Sequence, residues 1–490
     1  MISKTLAGAL AVGAGAVMFG APAQADDLGD LKALVKELKA QLQEERTQIR
    51  DLKAEVKGLN AELTAQKTHL SAQGAAVESQ GGDLRRVEAE QKVLAEKQQA
   101  APAAVAAAAP TVAAKPGYIA VPGTSSSVRL GGYVKVDLVD DVAANIGANG
   151  FTKTATDFAS IPLDHSAASR RSGQVNFTAQ ESRLNFATST RTEKYGDIET
   201  AIEGDFYNVG SGNLFRLRHA YVSGAGFLAG QTWSTFVDLD SSGPELLDFN
   251  GPVGIVAARQ PQIRYTMPVR SGSLPPSEMA FALESPTGDI ATNTADNHLD
   301  KTPDVVARFT MDPSWGHVAV AGLGRYLASD SGAPGRHPNQ PAYGVLVGVK
   351  INTVGKDSLV FQTVDGNGVG RYLLQGQGVS AVMVNNTLKP ITIWGGSVGY
   401  THFWTDALRS SLAYGYGHFS TPAGDPLRPL KDMSSVHVNL IWSPIPAASM
   451  GMEYIYGHVE TSSPQYDTAT GTTASQGSAS RVQASVKYSF

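Results

Sequence analysis

The chain reads as an all-β transmembrane barrel of about sixteen antiparallel strands, preceded by an α-helical coiled coil. Three observations predict this. A seven-residue apolar repeat runs unbroken from Leu28 to Leu94; after Ser127 the period switches to two; and ten-residue alternating segments then recur, joined by connections that are long and short by turns. The composition agrees. The 490 residues carry 40 Lys+Arg against 45 Asp+Glu, a net charge of −5, and only 17% are charged, well below the roughly 25% of soluble domains. Glycine reaches 51 residues and cysteine is absent, which excludes a disulfide scaffold, a thiolate zinc site and a cysteine nucleophile. The acidic balance gives no support to nucleic-acid binding. Beyond the extreme N-terminus there is no apolar run of about 18 residues, so a membrane helix in the mature chain is excluded.

The elements follow in order. Residues 1–25 have the form of a secretory signal peptide: Lys4, an apolar stretch from Leu6 to Phe19, and the small-x-small site Ala23-Gln24-Ala25. Residues 26–97 carry the heptads, with Leu28, Val35, Leu42, Ile49, Val56, Leu63 and Leu70 at the a positions and Gln66, Gln73 and Gln80 among the d positions. A single aliphatic stripe cannot bury itself, so this segment predicts an oligomerisation device, the alternative being a lone solvated helix. Residues 98–127 are rich in Ala, Pro and Ser; Pro102, Pro110, Pro116 and Pro122 forbid a continuous helix and make this a linker.

From 128 to 490 the sequence predicts the barrel. Val128, Leu130, Val134, Val136 and Leu138 alternate with Arg129, Tyr133, Lys135 and Asp137; near the C-terminus Val482, Ala484, Val486, Tyr488 and Phe490 alternate with polar residues. Strands are expected to start near 128, 174, 197, 214, 226, 259, 278, 303, 316, 341, 358, 391, 407, 432, 447 and 478. Long loops are expected around 140–173, 234–258, 285–302, 328–340, 365–390, 420–431 and 461–477, with short turns between them. Trp233, Trp315, Trp394, Phe403, Trp404, Trp442, Tyr454 and Tyr456 fall near strand ends, where amphipathic rings suit the membrane interface. A soluble β-sandwich could also bury such rings, but it does not account for sixteen strands with this loop alternation.

The segment 215–236, FRLRHAYVSGAGFLAGQTWSTF, with Pro244, Glu245, Asp248, Phe249 and Gly251-Pro252-Val253-Gly254 after it, resembles the DcaP-like porins of Gram-negative outer membranes. So do 437–458 and the end Val486-Lys487-Tyr488-Ser489-Phe490, and so does the order signal, periplasmic coiled coil, linker, barrel. The resemblance implies a homotrimer of sixteen-stranded barrels in the outer membrane, its coiled coil in the periplasm, letting small and often anionic organic solutes diffuse inward. Tyr488 and Phe490 also resemble the C-terminal signal read by the outer-membrane assembly machinery.

In such a barrel the inward faces select the solute. Alternation sends Arg216 and Arg218 inward while Phe215 and Leu217 face lipid, and it turns Arg129, Lys135, Arg183, Arg264 and Arg308 the same way, with Arg259 at the mouth of its strand. An arginine facing the bilayer midplane would cost ~2–4 kcal/mol. The loop 234–258 is the expected constriction element, acidic through Asp238, Asp240, Glu245 and Asp248, so that basic wall and acidic loop set up a transverse field. Each single arginine could equally be paired with a carboxylate of a neighbouring strand and serve only the wall.

Other signals carry less. Gly395-Gly396-Ser397-Val398-Gly399 matches G-x-S-x-G but continues an alternating strand rather than a strand-turn-helix elbow. Gly366, Gly368 and Gly370 lack the helix and Lys-Ser/Thr pair of a phosphate loop, and His402 and His418 have no third ligand placed beside them. No catalytic, metal-ligating or cofactor-binding residue is assigned. The leading reading is a passive diffusion channel for small hydrophilic, anionic (dicarboxylate-like) solutes; the alternatives are a structural outer-membrane anchor with a periplasmic tether, and an outer-membrane hydrolase.

Overall fold

The computed structural model describes residues 115–146, 155–207, 214–272, 274–291, 297–330, 337–376, 378–424 and 429–490, together with Lys57, Thr64 and Lys67. The expected signal peptide, and the expected coiled coil apart from those three positions, lie outside the described residues.

Sixteen antiparallel strands close into a barrel. They are β1 (Ser126–Ala143), β2 in two pieces (Gln174–Thr178 and Arg183–Thr192), β3 (Gly196–Asp205), β4 (Arg216–Gly224), β5 (Phe227–Trp233), β6 (Arg259–Pro268), β7 (Ser277–Glu284) and β8 (Asp304–Met311). The second half comprises β9 (Gly316–Asp330), β10 (Asn339–Asn352), β11 (Ser358–Asn367), β12 (Thr392–Phe403), β13 (Leu408–Ser420), β14 (Leu430–Ile445), β15 (Ala448–Asp467) and β16 (Thr472–Ser489). Each pairs with the next, and β16 returns to β1 through Val134↔Tyr488 and Leu138↔Ala484, so the sheet closes on itself. Both pieces of β2 pair with β1. Gly395 to Gly399 lies wholly within β12.

The two faces have opposite chemistry, in the sense a membrane demands. Along β1, Leu130 is 72% and Val134 53% exposed, while Lys135 and Asp137 are 4% and 1% exposed. Aliphatic outside and charge inside inverts the soluble rule and fits a wall between lipid and lumen. Trp315, Trp394, Trp404, Trp442 and Tyr454 are exposed on the outside. Trp233 departs from the expected interface position: it packs against the cluster inside the barrel, because the chain turns inward directly after it.

Connections at one end are short, including 312–315, 404–407 and 446–447; the two-residue turn Ala225-Gly226 has positive φ at both residues, as a type I′ hairpin requires. At the other end the loops are long. The expected loop 461–477 is replaced by strand, since β15 and β16 continue past the wall to a turn at 468–471. Segment 157–171 of the first long loop supplies the reason. It lies against this hairpin through Asp164 N–H to Gln476 O (2.8 Å), Ala167 N–H to Asp467 Oδ2 (2.8 Å) and the Thr472 hydroxyl to His165 O (3.1 Å).

The core sits inside the barrel. Phe158 and Ile161 of the first loop, and Phe236, Val253 and Val256 of the loop 234–258, pack with Tyr372, Ile455 and Val459. The wall beneath them is built small so that backbone can lie on backbone: a Cβ on Gly415 would stand 2.1 Å from Val253 O, and one on Gly348 2.0 Å from Ser241 Oγ. Gly415→Val is therefore expected to lift the loop off its wall at an overpacking cost of about 1–3 kcal/mol. That lowers the temperature at which the folded band converts on a heat-modifiability gel. Gly322→Val, where a Cβ meets nothing within 4 Å, is the matched substitution expected to leave the transition in place.

Candidate constriction site

The loop 234–258 crosses the lumen and is fastened at each stage by a side chain from the wall. At its entry the Glu284 carboxylate accepts from the Ser234 hydroxyl (2.6 Å) and the Thr235 N–H (2.6 Å). Next, Asp238 accepts from His317 Nε2 at 3.0 Å while His317 Nδ1 bonds Asp312 at 2.6 Å, so the ring spans two carboxylates. Gln362 donates to Asp238 O (3.0 Å) and, on the loop's return, accepts from Val256 N–H (3.0 Å). At the far wall Arg409 clasps Glu245, Nη2 to Oε1 being 2.6 Å. Leu247 O accepts from Lys135 Nζ (2.7 Å) and Gln483 Nε2 (3.0 Å), and Leu247 N–H donates to Glu453. Asp248 is buried and accepts from the Thr156 hydroxyl of the first loop (2.7 Å) and from Gly251 N–H (2.9 Å).

This accounts for most of the loop's acidity. Of the four acidic residues, Asp238 is held by His317, Glu245 by Arg409 and Asp248 by Thr156, whereas exposed Asp240 is in no ion pair among the described residues. Burial opposes the charge on Asp238, but its hydrogen bonds to His317 and Ser241 keep its pKa below the usual carboxylate value. Burial pushes that of Asp248 up, against the pull of His437. The loop's negative field therefore rests on few groups.

The basic residues divide into three kinds. Lys135 faces inward, but it is 4% exposed and spent on Glu181, Asp137 and the Leu247 carbonyl, so it anchors the loop rather than offering charge to the lumen. Arg216 and Arg218 also face inward and are paired: Arg216 clasps Asp205 (Nη2–Oδ2, 2.7 Å), and Arg218 bonds Glu203 (2.8 Å) and Asp205 (3.0 Å). A bulge in β4 opposite Glu203 and Gly204 places Arg218 there. The Phe249 ring, stacked near Tyr207 at 4.5 Å, covers both guanidinium groups at 5.6 and 5.8 Å. Arg183 reaches Glu203 only at 3.9 Å, over the Tyr133 ring, and Arg129 lies against the Tyr118 ring.

The third kind is Arg259, Arg264 and Arg308. Among the described residues none of them has a carboxylate partner: Arg259 lies over the Trp233 indole at 4.5 Å, and Arg308 donates to Val237 O at the start of the loop. The buried Nε–H groups of Arg183, Arg264 and Arg308 have no hydrogen-bond acceptor. Such orphaned donors are uncommon in a settled wall.

Asp238, Asp240 and His317 bring three donor atoms within 4.8 Å of one another. Both imidazole nitrogens already bond carboxylates, however, so in this arrangement the cluster is an ion-pair anchor of the loop. Alternation along the strands identified which arginines turn inward. It did not reveal His317, Gln362, Arg409, Glu453 and Glu284 as fasteners, since each is one inward polar residue among many until the loop's path is known.

The comparisons with known proteins fit this architecture. The family profile described as DcaP outer membrane protein matches residues 119–471. No curated protein sequence matches the chain. Among solved structures, the outer membrane channel DcaP of Acinetobacter baumannii is 22% identical, with a TM-score of 0.62 over 75% of this chain and 98% of that one. An anion-selective porin from Comamonas acidovorans (12% identity, TM-score 0.49, 74% and 100% covered) and OmpT of Vibrio cholerae in a trimer form (12%, 0.45, 75% and 100%) are more distant. With the profile spanning well over half of its residues, the chain belongs to the DcaP outer membrane protein family and is an outer-membrane β-barrel channel.

Proposed function

We propose that the channel is a passive, anion-preferring diffusion pore for small hydrophilic solutes of the dicarboxylate kind, assembled as a homotrimer whose heptad segment lies in the periplasm. The observation that carries the anion preference is the imbalance across the loop. Arg259, Arg264 and Arg308 have no carboxylate partner among the described residues, while three of the loop's four acids are engaged. A dianion passing this face exchanges water for charge-assisted hydrogen bonds and leaves again, with no bond made or broken. The trimer reading is supported by the family resemblance and by the heptads at 28–94, which need partner helices. Tyr488 and Phe490, at 54% and 57% exposed on the outer face of the closing strand, suit the proposed role of an assembly signal.

Reversal potentials in a salt gradient test the selectivity. Arg264→Ser with Arg308→Ser removes two lumen charges. One unit charge at ~7 Å in a water-like medium contributes ~0.6 kcal/mol, so the anion-to-cation permeability ratio is expected to fall about threefold or more. The change should shrink from 0.1 to 1 M salt as the Debye length drops from ~10 to ~3 Å. Unaltered selectivity in a correctly folded double variant would make these arginines wall residues only.

The loop acids separate in the same assay. Asp240→Asn is expected to raise anion preference, because the exposed carboxylate acts on solutes. Asp248→Asn is expected to leave selectivity nearly unchanged, since that side chain is buried against Thr156 rather than turned to solutes. For assembly, a peptide of residues 26–97 is expected to be helical and trimeric by equilibrium sedimentation at tens of micromolar; a monomer would remove the coiled coil from the proposal.

A further inference from the structure

The segment preceding β1 does not simply lead away from the barrel. Ile119 and Ala120 pair antiparallel with Val128 and Ser127, on the edge of β1 that β16 leaves open below Phe490. Val121 N–H donates to Ser126 O at 2.9 Å, and a turn closed by Tyr118 N–H to Lys115 O (2.9 Å) then redirects the chain. The Tyr118 ring takes the Arg129 guanidinium at 5.3 Å, and Lys115 Nζ reaches Asp197 (3.2 Å) and Glu199 on β3. Arg129, Asp197 and Glu199 belong to the inward sets of their strands: Arg129 is in step with Lys135, and the two acids with Glu203 and Asp205. The segment thus runs from beside β1 to the side chains of β3 on the lumen side, about 10 Å at ~4.8 Å per strand.

We propose that Lys115–Ala120 is a strap over one side of the short-turn mouth of the channel, latched by Lys115 on the Asp197–Glu199 pair, and that release of the latch opens this mouth further. The latch is built to yield. Lys115 is over a third exposed, Glu199 nearly half and Asp197, shared with Arg191, about a quarter, so salt screens the latch. The hinge is the pairing with β1, only two residues long and so able to loosen once the lysine lets go. The proposal rests on the channel reading and assigns its regulation to this segment.

The full chain contains no cysteine, so one introduced pair can be read without background. Ala120→Cys with Ser127→Cys places thiols on directly paired residues of adjacent strands, within disulfide reach. In planar bilayers Lys115→Ala is expected to raise single-channel conductance at 0.1 M salt on the order of tens of per cent and to lose that difference at 1 M. The oxidised cysteine pair is expected to quiet current fluctuations, and reduction to restore them. Equal conductance and noise in wild type, Lys115→Ala, and the oxidised and reduced pair, with the disulfide verified by mass, would overturn the strap while leaving the channel intact. Absence of current in every form would overturn the channel reading itself.

Discussion

Within hydrocarbon a backbone N–H has no water to turn to, and the pairing of β16 with β1 is what closes the sheet into a cylinder. Closure has a second effect that reaches the site. Once the sheet is a cylinder, side-chain alternation stops being a preference and becomes a sorting rule between two solvents. Leu130, Val134 and Leu138 must face out, and so Lys135, Asp137 and Asp141 must face in, where a lumen and its loops can satisfy them. The inward charge of this protein is in that sense a by-product of the wall, available for whatever the loops do with it.

Most of it is used to hold the loop 234–258 across the lumen. The loop has little regular structure of its own, and its stability comes from outside: Glu284 at its entry, His317 and Gln362 along its path, Arg409 and Lys135 at the far side. Removing one partner of such a buried pair exposes the other to its full desolvation cost, so the anchors depend on one another. The groups without an ion-pair partner among the described residues are arginines on β6 and β8 and the carboxylate of Asp240, and on that imbalance the proposed anion preference rests.

The barrel was legible in the sequence because period-two alternation is a local property, and turn residues punctuate it. The expected starts near 128, 259, 316 and 358 lie within two residues of β1, β6, β9 and β11. The error at 461–477 has a definite cause. Ser, Thr and Gly there look like loop, but the partner that makes them strand is segment 157–171, about three hundred residues away. The site was legible only by side. Alternation told that Arg216 and Arg218 point inward, but Asp205, Glu203 and Phe249 decide whether they are free, and those partners come from another strand and from a loop whose path no periodicity encodes. Trp233 shows the same limit: its position near a strand end suits an interface ring, but the inward turn after it places it among the lumen residues.

The small residues under the loop divide the circumference into two arcs with different evolutionary freedom. On the arc from β10 to β13, inner positions such as Gly348 and Gly415 are limited by volume, since any side chain collides with backbone or with Ser241. On the arc from β6 to β8, inward Arg259 and Arg264 have no carboxylate partner among the described residues, so a substitution there breaks no ion pair. A lineage adapting this channel to a new solute can therefore vary the second arc residue by residue. The first arc can change only together with the loop it carries, so innovation in selectivity is expected to accumulate on one side of the pore.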